Sequence, residues 1–107
     1  MKLAQKMKAT ADNFKKLQVA RANQTFSSNL EAIKLICEVI LETQAKSGGY
    51  ALNTNYFFSS FWAVAGEKGI IIPENPFFKE HFKKRVLNYL ESEDFFVDKS
   101  VIIWDNE

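Results

Sequence analysis

The stretch that most constrains this chain is "LEAIKLICEVILETQAK", residues 30–46. Ala32, Ile33, Leu35, Ile36, Cys37, Val39, Ile40 and Leu41 are apolar, and Glu31, Lys34, Glu38 and Glu42 form the one polar stripe between them. Wound into a helix, such a segment is apolar around most of its circumference, which places it in the middle of a core. Ser28 and Glu31 stand at the spacing of a capping box, in which the hydroxyl takes an orphan amide and the carboxylate reaches back to the cap. Lys46 and then Gly48–Gly49 supply the cation and the left-handed residue that helix C-termini favour. The rest of the chain must therefore cover this helix.

Aromatic residues supply the cover. Ten Phe, three Tyr and two Trp in 107 residues can build a small core from few side chains, because each buries a large area. Asn53 or Thr54 caps a further helix, "NYFFSSFWAVAGE", with Phe57, Phe61 and Val64 on one face and Phe58 and Trp62 on the next; Gly66 and Gly69 end it. Asn75 before Pro76 is a strong helix start. It opens a helix over 76–91 with Phe78, Phe82, Val86, Tyr89 and Leu90 inward. "GYALN" reads as a short extended piece that can serve as an edge strand. "GIIIP" reads as a strand buried on both faces, and "FFV" and "VIIW" form a closing hairpin around Asp98–Lys99. The expected fold is α+β: a helix-rich single domain of three to four helices, with a small antiparallel sheet built from 70–72, 95–97 and 101–104. Residues 25–107 form the globular domain, and residues 1–24 a basic N-terminal helix that serves as an oligomerisation or docking arm.

Charge is divided unevenly along the chain. Residues 1–24 carry six basic side chains against Asp12 alone, a balance of +5, whereas residues 91–107 carry six acids against Lys99, a balance of −5. Ends of opposite sign attract within one chain or between two. Leu3, Met7, Phe14 and Leu17 recur near every 3.5 residues along the first helix, with Thr10 in the gap. A stripe this thin needs a partner surface to hold it. The plain reading is a solvated helix docked on the chain's own domain. Pairing of two such helices across a dimer is the sharper reading preferred beside it, and lying on a membrane surface is less favoured because the apolar face is narrow.

Groups for catalysis are sparse. Cys37 is the only cysteine, so no intrachain disulfide forms, which fits a reducing compartment. Neither a signal peptide nor a membrane span is visible, and a cytoplasmic location is expected. His81 is the only histidine; with Cys37 in the most apolar helix, a His/Cys metal set cannot be assembled. "SGGY" and "GEKG" lack the spacing of phosphate-cradling loops. The chain is expected to be non-enzymatic, with no cofactor and no metal.

Two resemblances bear on function. From residue 29 to 104 the order helix, helix, helix, hairpin resembles a winged helix. That resemblance implies DNA binding by the helix 76–91, through Lys79, Lys83, Lys84 and Arg85, with the hairpin 95–104 as the wing. Glu91, Glu93, Asp94, Asp98 and Asp105 flank the hairpin, and acids near phosphate oppose such binding. The hairpin therefore reads first as a sheet edge, its acids discouraging edge-to-edge pairing. From Ala45, "AKSGGYALN" and then "VLNYLESEDFFVDKSVIIW" look like small proteins of bacteriophages and mobile elements, with Asp94 where a Gly is usual before the aromatic. This second resemblance implies an accessory protein acting by binding, as a structural helper or as an inhibitor of a host protein. The leading expectation is a protein-interaction module, a homo-oligomer or the binder of a host protein, using Leu3, Met7, Phe14, Leu17, Phe58, Trp62 and Trp104. DNA binding is the alternative, and no membrane is expected to be involved.

Overall fold

The structure, a computed structural model, describes residues 2–104. It is an α+β domain in which helices α1 (Leu3–Ser28), α2 (Leu30–Lys46), α3 (Thr54–Glu67) and α4 (Pro76–Ser92) surround one core. Strands β1 (Ala51–Asn53), β2 (Phe96–Asp98) and β3 (Val101–Ile103) close one end of it.

Local chemistry sets the starts of α3 and α4. The Asn53 side-chain oxygen accepts from the amides of Asn55 and Tyr56, at 2.8 and 3.3 Å. Asn75 accepts from Phe77 and Phe78, at 3.0 and 3.1 Å, with Pro76 in the first turn. Each asparagine satisfies amides that have no intrahelical partner.

Phe82 is the hub of the core. Its ring lies 5.9 Å from those of Phe61, Trp62 and Phe78, and 6.1 Å from Phe26. Ile33, Ile36, Phe57, Val86, Leu90 and Ile102 are also fully enclosed. In the sheet, β3 runs antiparallel to β1 on one side and β2 on the other, aligning Leu52, Ile102 and Val97.

Four expectations need correction. The Ser28–Glu31 capping box does not form, because α1 remains helical through Ser28 and a cap residue must leave the helix. The chain bends at Asn29 alone, whose side-chain amide donates to the Thr25 carbonyl at 2.9 Å. Continuing the helix is what brings Phe26 onto Phe82. Residues 70–72 are not a strand. Gly69, at φ 77°, ends α3; the Ile70 amide bonds the Ala65 carbonyl at 2.9 Å and the Ile70 side chain plugs the core, leaving Ile71 81% exposed. The third strand is "ALN", the piece read as a candidate edge strand, and it does lie at an edge of the sheet. Consequently β3, expected at an edge, is the central strand, and its pairing with β1 is prolonged by the Trp104 amide on the Tyr50 carbonyl and the Thr54 amide on the Ser100 carbonyl. Finally, α2 is covered on one side only: Leu35 and Val39 remain 54% and 57% exposed.

The radius of gyration is 16.4 Å, against about 13 Å for a compact chain of this length. The molecule measures 59 × 30 × 20 Å, and the excess length belongs to α1.

Candidate functional site

Helix α1 is two structures in one. Its C-terminal half buries Gln18, Ala22 and Phe26 along α4. Lys15 Nζ lies 5.1 Å over the Phe77 ring, Asn23 meets His81 and Arg85, and Phe26 meets Phe82. Later residues of α1 meet later residues of α4, so the two helices run in the same direction. Residues 2–14 therefore extend past the start of α4 by about 20 Å at the helical rise per residue. Residues 2–17 are all exposed.

The apolar stripe lies on this projecting arm. Leu3, Met7, Phe14 and Leu17 are 73%, 52%, 46% and 47% exposed. At the helical repeat, the stripe points about 100° away from the face that carries Gln18, Ala22 and Phe26, so docking on α4 leaves it bare. Lys2, Lys6, Lys8, Lys15 and Lys16 accompany it, with Asp12 the one acid.

A second feature lies at the opposite end of the molecule. The C-terminal end of α4, the flank of α2 and the closing hairpin enclose an open groove of about 690 Å³. Its apolar wall includes Leu35, Leu41, Tyr89, Leu90, Phe95 and Trp104, the last two rings edge-on at 6.1 Å. Four glutamates, Glu31, Glu38, Glu42 and Glu93, line it against one cation, Lys34. Lys34 is 4.0 Å from Glu31 and 5.9 Å over the Tyr89 ring, and Glu42 pairs with Lys46 at 3.1 Å. Among the described residues, Glu38 and Glu93 have no ion pair. Burial, and then Glu93, Cys37, Glu38 and Glu31, push the Tyr89 phenol above its ordinary value. The carboxylates thus act together on one place in the groove.

The groove went unread in the sequence because its residues come from α2, α4 and the hairpin. A signal existed nonetheless: Glu31, Glu38 and Glu42 repeat at helical spacing beside Leu35.

The other sequence candidates are scattered. Phe58 is 3% exposed and presents no surface to a partner. Trp62 is half-buried, stacked on Phe58 at 5.5 Å with Lys79 above it at 5.5 Å. Trp104 is half-buried in the groove wall. On α4, Lys79 pairs with Glu74 at 2.9 Å and Lys83 lies 5.4 Å over the Phe58 ring. Lys84 lies 3.9 Å from Glu80, while Arg85 donates to Asn23 at 3.1 Å and packs 4.7 Å over Phe26.

Cys37 is buried, and that burial pushes its thiol up to about 12, so it stays protonated at neutral pH. His81 Nε2 lies 2.9 Å from Asn23 Oδ1; an amide oxygen can only accept, so the imidazole donates. Among the described residues no group of three or more His, Cys, Asp or Glu side chains could hold a metal, and no helix is long and apolar enough to cross a membrane. Compared with protein-family models, curated proteins and solved structures, the chain matches none.

Proposed function

We propose that this chain is a small protein-interaction module that acts by binding another protein. The observation that carries the reading is the arm. A helix with four exposed apolar side chains on one face and five lysines around them is what a protein contact covers, by the helix-in-groove mode of recognition. Its half-bare apolar residues gain by leaving water at about 25 cal/mol per Å². The test is a tagged pull-down of the full chain from a bacterial lysate, with and without nuclease. A protein retained after nuclease supports the reading, and partners lost with nuclease count against it.

DNA binding is the second reading. What favours it is the order α3, α4, hairpin, with β1 from ahead of α3 joining the hairpin as a third strand, as a winged helix would have it. Against it stand the engagements of Lys79 and Arg85 within the chain. The hairpin turn is also short, and lies among Glu91, Glu93, Asp94 and Asp98. Salt-sensitive affinity for duplex DNA that falls in Lys83→Ala would favour this reading over the first.

A further inference from the structure

Resting on the protein-binding reading, we infer that the arm of one chain docks in the acidic groove of a second copy. Three observations carry this.

The first is charge. The arm holds five lysines against Asp12, and the groove four glutamates against Lys34. Arm against groove joins opposite signs, whereas arm against arm sets two strongly basic helices side by side. Pairing of the arms, which the seam spacing invites, works against that repulsion; docking in the groove removes it.

The second is length. Residues 2–17 form a rod of about 24 Å, and the groove flank of α2, from Glu31 to Ala45, runs about 21 Å. Both are straight helical segments of matching reach. The stripe Leu3, Met7, Phe14 and Leu17 has apolar side chains to meet in Leu35, Leu41, Tyr89, Phe95 and Trp104. Lys2 and Lys6, which lie beside the stripe at the helical repeat, then face Glu38, Glu42 and Glu93.

The third is direction. Because α1 and α4 run in the same sense, the arm leaves the domain beyond Phe77, whereas the groove sits beside Tyr89 and Glu93. No chain reaches its own groove without unfolding the α1–α4 contact. An arm that occupies the groove therefore comes from another molecule, and the contact joins two different surfaces. Reciprocal exchange of arms closes the assembly at two chains, and one-way exchange continues it.

The experiment compares four full-length proteins by sedimentation equilibrium. They are the wild type, an arm-reversed variant (Lys2→Glu with Lys6→Glu), a groove-reversed variant (Glu38→Lys with Glu42→Lys), and the chain carrying all of these changes. Every substituted side chain is exposed, and far-UV circular dichroism checks that each variant folds. The wild type is expected at twice the 12.3 kDa chain mass or more, dissociating as salt rises. Either reversal alone should give the single-chain mass, and the combined variant should regain assembly. A groove-reversed chain that assembles like the wild type overturns the proposal and points to arm–arm pairing. A combined variant that stays at the single-chain mass overturns it as well. A wild type of single-chain mass also overturns it. In that case a nuclease-resistant partner in the pull-down leaves the protein-binding reading standing, and its absence removes both.

Discussion

The two halves of α1 are alike in sequence and opposite in circumstance. Both carry alanine with long polar helix formers, lysine in the first half and Gln18, Arg21 and Gln24 in the second, and both are helical, because these residues form helices wherever nothing opposes them. Yet residues 18–26 are seated on α4 through Gln18, Ala22 and Phe26, while residues 2–17 are all exposed. Propensity made one helix of them, and packing divided it. The division falls where the small Ala22 lets α1 approach α4 closely and Phe26 can reach Phe82. Only the exposed half has its apolar residues free for a partner.

The strongest way to break this contrast is to truncate one phenylalanine in each half. Phe26→Ala should cost about 3–5 kcal/mol, the usual loss for a buried ring. In the single chain, at concentrations too low for assembly, Phe14→Ala should change stability by less than about 0.5 kcal/mol, as exposed positions do. Chemical denaturation of the two variants measures both. Equal losses would mean that the arm is as much part of the folding unit as the docked half.

Crowding the contact is the next largest change. Ala22 is fully buried, so Ala22→Leu should destabilise by about 1–3 kcal/mol through overpacking. Ala20→Leu, at an exposed position two residues away, serves as the control and should be close to neutral. If Ala22→Leu proved neutral in the same denaturation assay, α1 would not be seated against α4 as closely as the structure places it.

Asn23 fastens the same contact by polar means. Its side-chain oxygen accepts from both His81 and Arg85, and a helix of Ala and Lys gave no hint of that. Asn23→Ala should cost about 1–2 kcal/mol, for one partly buried acceptor shared between two donors. Amide hydrogen exchange should then rise in residues 18–26 and stay unchanged in α3. A uniform rise would indicate that the contact is part of global stability, with no local role.

How much could be read from the sequence follows the range of each interaction. The starts of α3 and α4 were legible because an asparagine caps amides two and three residues away. The ends of α2 and α3 were legible too, with Gly48 and Gly69 at positive φ, where a Cβ is costly. The end of α4 has the same geometry: the Phe95 amide bonds the Leu90 carbonyl and that of Asp94 the Glu91 carbonyl. Its left-handed residue is Asp94, at φ 70°, so that stop carried no glycine to announce it. Nonlocal choices were hidden. "GYALN" could be read as an edge strand, but nothing near Ile70 says that it will plug the core and leave the third place in the sheet to "ALN", since both runs are short and apolar and only the tertiary partner decides. The α1–α2 boundary was misread for the same reason: a good local cap at Ser28 lost to the packing of Phe26 on Phe82. For the candidate site, the stripe on the arm was visible as a periodicity within one helix. The groove, assembled from three distant segments, was not.

The smallest expected effect tests whether propensity alone holds the arm. Ala11 lies in the exposed half, and Ala11→Gly removes about 1 kcal/mol of helix propensity. In the docked half such a loss would lower the stability of the whole domain. In the arm it has nothing to lower but the arm itself. In the dissociated chain, far-UV circular dichroism should therefore weaken and amides of the first turns should exchange faster, while the denaturation midpoint of the domain stays in place. A midpoint that fell by the full amount would show the arm bound to something that stabilises the fold. In an assembled protein that something is the groove of a second chain, so the same variant should then be sensitive to protein concentration. Dilution would dissociate both proteins and bring the midpoints of the variant and the wild type together at a lower value, tying the smallest substitution to the largest question about this chain.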